Sequence, residues 1–91
     1  NMTKKENKKV MYLGPTIRGV VKNGAVFEGG IPKNLEKIAG KKPIIQNLIV
    51  PLENIVDVSK NIRVEGTAEA IAFDKIAEIS EAEVKEFTEG E

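Results

Sequence analysis

Asn23-Gly24 stands between two short Val-containing runs, 17–21 and 25–28, and no other feature of the sequence restricts the fold as much. Both residues tolerate the positive φ of a type I′ turn, so an Asn-Gly pair at this spacing predicts a β-hairpin with 17–21 and 25–28 as its arms. Gly29-Gly30 ends the second arm. Upstream, Val10-Met11-Tyr12-Leu13 is another apolar run of strand character, closed by Gly14-Pro15. The available side chains push the same way. Eleven Ile and nine Val stand against four Leu and no Trp, and stiff β-branched side chains pack well on a pleated surface.

Helices are expected further along. Pro32 suits the first turn of a helix, Leu35 and Ile38 are spaced i, i+3, and Gly40 is a stop before Lys41-Lys42. Leu48-Ile49-Val50 is a buried strand ended by Pro51. Pro51 opens a second helix over 52–61, with Leu52, Ile55, Val56 and Ser59 on one face. Residues 62–79 fit two patterns. Ile71 and Phe73 alternate like a strand, whereas Ala68, Ile71, Ala72, Ile76 and Ile79 suit a helix. A strand is expected at 70–73. Ser80-Glu81-Ala82-Glu83 has the form of a capping box, so 80–91 is either a short helix through Phe87 or an acidic tail. The expected architecture is a small α+β domain over 10–79. A hairpin or meander sheet is covered by two short helices, with charged tails at both ends.

Length and composition narrow the function. Ninety-one residues and 10.0 kDa hold one small domain. A core of this size without disulfides is marginal, and contact with another chain would relieve it. Hydrophobic residues are 41% and charged residues 31%, which excludes wholesale disorder, and no apolar run approaches the roughly 18 residues of a spanning helix. No secretory signal pattern opens the sequence, and Asn1 ahead of Met2 is set aside as an expression remnant. With no Cys and no His, disulfides, thiolate catalysis and the commonest general base and metal ligands are all ruled out. Aromatic residues are only 4%, too few for a base-stacking surface.

Net charge is zero but unevenly spread. Lys4, Lys5, Lys8 and Lys9 make 1–9 a basic tail, and Glu78, Glu81, Glu83, Glu86, Glu89 and Glu91 make the other end acidic. Solvated tails are the simple reading, and attraction between the opposite ends of two copies is the sharper one.

No catalytic, cofactor-binding or metal-ligating residue can be assigned from motifs, and the chain is not expected to be an enzyme or to carry a cofactor. Gly14-Pro15-Thr16 and Gly29-Gly30 match neither a Walker nor a dinucleotide loop. Glu53 and Asp57 lie at i, i+4 on an expected helix but lack a third oxygen ligand nearby in sequence. The better candidates are Arg18, Lys22 and Asn23, which cluster around the predicted turn and are suited to touching phosphate or an acidic protein surface. A turn that merely aids solubility would look the same.

Residues 12–31, Tyr-Leu-Gly-Pro-Thr-Ile-Arg-Gly-Val-Val-Lys-Asn-Gly-Ala-Val-Phe-Glu-Gly-Gly-Ile, together with Leu48-Ile49-Val50-Pro51, resemble a family of small proteins of tailed phages and prophages of Gram-positive bacteria. These are encoded among the virion structural genes, near those for the capsid and head–tail joining proteins. The resemblance spans roughly 12–77, and its most specific part is Leu-Gly-Pro-x-Ile-x-Gly-Val with the Asn-Gly pair after it. It implies a non-enzymatic role in particle structure or assembly, exercised in the cytoplasm of the bacterial host or in the virion. The implied partner is a protein, either another copy or another virion protein. Nucleic acid and membrane are not expected as partners. The alternative from a different class is a small nucleic-acid-binding module using the basic tail and the Arg18/Lys22 turn.

Overall fold

The computed structural model describes residues 8–89. Strands β1 (Lys9–Tyr12), β2 (Val26–Glu28) and β3 (Ile49–Pro51) form an antiparallel sheet in the order β2-β1-β3. Helices α1 (Lys33–Lys41), α2 (Ile55–Ile62), α3 (Ala68–Ala77) and α4 (Glu81–Glu89) accompany it, with 3₁₀ turns at Pro43–Leu48 and Leu52–Asn54. The class is α+β, as expected. Four α-helices are described rather than two.

The expected hairpin is corrected. β2 is a strand, but its partner is β1, with Val10 opposite Phe27 and Met11 opposite Val26. The run 17–21 folds back on itself, joined by a single bridge between Ile17 and Val21. Asn23-Gly24 still makes a turn, since the Ala25 N–H donates to the Lys22 carbonyl at 3.0 Å. Only Gly24 has positive φ, +91°, so the turn is not type I′. The reason lies in the ladder. Gly24 N–H donates to the Tyr12 carbonyl at 2.7 Å and Tyr12 N–H donates to the Ala25 carbonyl at 2.8 Å, so β1 claims the groups a tighter hairpin would use.

Pleating separates the two faces of the sheet. Tyr12, Phe27 and Ile49 look into the core, where Tyr12, Leu35, Ile38, Ile45 and Leu48 are fully buried. The opposite face carries the row Val26–Met11–Val50. No polar or charged side chain is buried among the described residues.

Each helix has a local cause. α1 buries Leu35, Ile38 and Ala39. It runs past Gly40 to Lys41 and stops because Lys42, ahead of Pro43, is forced out of the helical region (φ −130°, ψ 77°). The next turn is 3₁₀, which stacks Ile45 over Leu48 at i, i+3 and buries both. The strand expected at 70–73 is instead the middle of α3. The Thr67 hydroxyl accepts from Ala70 N–H at 3.0 Å as the N-cap and donates to the Asn61 carbonyl at 2.7 Å. Buried Ala70, Ala72 and Ile76 face inward, while Ile71 is largely exposed.

Residues 81–89 take the helical alternative. Ser80 and Glu83 cap α4 reciprocally, Glu83 N–H donating to the Ser80 hydroxyl at 3.1 Å and Ser80 N–H to the Glu83 carboxylate at 3.0 Å. Val84 and Phe87 then pack against the core, and Lys37 Nζ donates to the Thr88 carbonyl at 3.0 Å. Most of the basic tail, 1–7, lies outside the described residues. Of the remainder, Lys8 is exposed and Lys9 begins β1. Among the described residues no helix is long and apolar enough to cross a membrane.

Candidate functional site

The connection from β1 to β2 is a clamped loop. Its base is Tyr12, whose hydroxyl donates to the Pro15 carbonyl at 2.7 Å. Burial pushes the phenol pKa up, so it stays a donor throughout the ordinary pH range. Asn23 locks the loop from the other side, its amide donating to the Gly14 carbonyl at 2.8 Å and its N–H to the Thr16 hydroxyl at 3.0 Å. Ile17 and Val21 both enter the core, and their bridge lifts Arg18-Gly19-Val20 into a tip.

That tip forms one wall of a cleft of about 590 Å³. The other walls are the end of α3, the side of α4 that carries Glu81, Val84, Lys85 and Thr88, and Asn34 of α1. Its apolar lining includes Ile17, Val20, Ile76, Ile79 and Val84, and its rim bears Arg18, Glu81, Lys85 and Glu89. Arg18 Nη1 and Glu81 Oε2 meet at 3.2 Å, joining the loop to α4. Both side chains are more than three-quarters exposed, so water screens the pair. A smaller hollow of about 360 Å³ lies along Thr16–Lys22.

The three residues singled out from sequence divide. Arg18 lines both hollows and Lys22 the smaller one. Asn23 lines neither, and its amide is used inside the loop. They do not gather at one turn, because Arg18 belongs to the tip at 18–20 and Asn23 to the separate turn at 22–25. The α4 side of the cleft was missed, although Val84 and Phe87 behind the Ser80 capping box are the signal of a docked helix. Glu53 lies in the 3₁₀ turn Leu52–Asn54 and Asp57 on α2, neither of them lines the cleft, and among the described residues no cluster of three metal-capable side chains occurs.

Chemically, the cleft can seat an apolar side chain and surround it with charges of both signs. Comparison with family models, with curated proteins and with solved structures finds no match.

Proposed function

We propose that this chain is a non-enzymatic phage or prophage protein that makes protein–protein contacts in head or head–tail assembly, and that the tip and cleft are its contact element. The observation that carries the reading is the cleft itself, apolar inside and mixed in charge at the rim. Such a site suits a protein side chain flanked by polar groups. It does not suit a phosphate backbone, since Glu81 and Glu89 stand beside Arg18 and Lys85. The phage context rests on the resemblance of residues 12–31 and 48–51.

The test is a pull-down with purified capsid and head–tail joining proteins from the same gene cluster, run beside a duplex-DNA gel shift. One of the proteins should be retained by the parent and lost with Arg18→Glu. No DNA shift tighter than about micromolar should remain at about 150 mM salt. Tight DNA binding at that salt, with no virion protein retained, would overturn the reading in favour of a nucleic-acid module.

A further inference from the structure

The helical run 52–63 has one face that the fold leaves bare. Leu52, Glu53 and Asn54 of the opening 3₁₀ turn are exposed, and after them Val56, Asp57, Lys60 and Arg63 are exposed whereas Ile55, Val58, Ser59, Asn61 and Ile62 are partly covered. Val56, Asp57, Lys60 and Arg63 follow i, i+1, i+4 and i+7, which is one side of α2 through its C-cap, and Glu53 stands one turn ahead of Val56. Val56 lies in the middle of it at 70% exposure, with exposed Leu52 and Val64 at the two ends. Three of the five large hydrophobic residues exposed among the described residues therefore lie within 52–64, Leu52 opening the helical run and Val64 just beyond its end. A single exposed valine needs no explanation. Three along so short and otherwise charged a stretch do.

The charges on that face are ordered. Glu53 and Asp57 occupy the N-terminal half, Lys60 and Arg63 the C-terminal half, and among the described residues none of the four forms an ion pair within the chain. The order matters when the rod is turned end over end about the level of Val58. Leu52 then falls opposite Val64 of the second rod, Glu53 opposite Arg63, and Val56 opposite the aliphatic stem of Lys60. Each pairing occurs twice. In a parallel arrangement Glu53 would face Glu53 and Arg63 would face Arg63.

We infer that a second copy of this chain docks antiparallel along α2, forming an isologous two-fold dimer. Antiparallel packing also sets the two helix dipoles head to tail. About 18 Å of helix is available at 1.5 Å per residue, so the contact falls below the roughly 1,200 Å² of standard interfaces. The dimer is therefore weak and concentration-dependent. None of the cleft residues takes part, so the dimer and the assembly role stand or fall separately.

Sedimentation equilibrium of the full chain from about 20 μM to about 1 mM tests this. The average mass should climb from one chain toward two, and less steeply when salt is raised to about 500 mM. Arg63→Glu and Glu53→Arg should each weaken the dimer by about tenfold or more, because every reversal acts at two symmetric places. The Glu53→Arg/Arg63→Glu double variant should regain the parent's affinity, and all three should keep the parent's circular dichroism. A parent that stays monomeric at about 1 mM would overturn the inference. So would a dimer indifferent to either single reversal, or a double variant no stronger than the singles.

Discussion

Gly14 lies against the hydroxyl end of the Tyr12 ring, so close that a methyl group on it would sit 2.5 Å from the phenol oxygen and 2.6 Å from Cζ. Leu48 closes the remaining side at 2.9 Å. Tyr12 is fully buried and tied to Pro15, so it cannot swing away. Gly14→Ala should cost about 1–3 kcal/mol through overpacking, measured by urea denaturation. An unchanged midpoint would mean that the ring and loop yield more easily than their packing implies.

Tyr12 is the sole tyrosine, which makes its ionisation directly observable. Its folded pKa is raised by burial, so above about pH 10 the unfolded chain releases a proton that the native chain retains. Stability from this group is complete below pH 10 and is lost as pH rises beyond it, at up to about 1.4 kcal/mol per pH unit. Phenolate absorbance should therefore appear together with alkaline unfolding rather than ahead of it. Tyr12→Phe should lack this pH slope, yet cost about 1–2 kcal/mol at neutral pH by orphaning the Pro15 carbonyl.

At the second turn the two neighbouring residues should behave differently. Asn23→Ala removes the amide that holds Gly14 and should cost about 1 kcal/mol or more. Lys22→Ala, at an exposed side chain, should change stability by no more than about 0.5 kcal/mol. Gly24→Val should cost about 1 kcal/mol or more from positive φ alone, since no atom lies within 4 Å of the added Cβ. Equal effects at 22 and 23 in thermal melts would show that the amide contributes nothing.

α4 should prove part of the folded body. Phe87→Ala should cost about 1–2 kcal/mol for its partly buried ring, and Ser80→Ala about 1 kcal/mol for the lost cap. Arg18→Ala should leave the melting temperature within about a degree or two, because its pair with Glu81 is exposed. A melting temperature indifferent to Phe87→Ala would return 81–89 to the status of a tail.

Where sequence and structure part, long-range competition decided the outcome. Asn23-Gly24 is a turn, as its residue types require, but only Gly24 takes positive φ, because the ladder to Tyr12 fixes the backbone at 24–25. Sequence spacing at 17–28 carries no trace of Tyr12. At 70–73 the alternation of Ile71 and Phe73 suggested a strand, yet Thr67 and the alanines at 68, 70 and 72 were the stronger signal, a cap followed by good helix formers. α1, β3, α2 and the Ser80 cap were legible because each depends on residues within a few positions of one another. The cleft was not legible, since it joins the tip at 18–20 to α4 across most of the chain.

The sheet order also bears on how the chain acquires its structure. Of the three strands β1 is synthesised first and lies in the middle, and it must wait for β3, where Val50 stands opposite Met11, before its second edge is paired. Until then it shares only the short ladder with β2, and a two-stranded ribbon of that length is marginal in water. Leu13 N–H likewise waits for the Leu48 carbonyl, which it meets at 2.8 Å. A nascent chain that has not yet released Pro51 therefore carries an unpaired edge with Met11 and Leu13 upon it, and closes that edge in a non-local step.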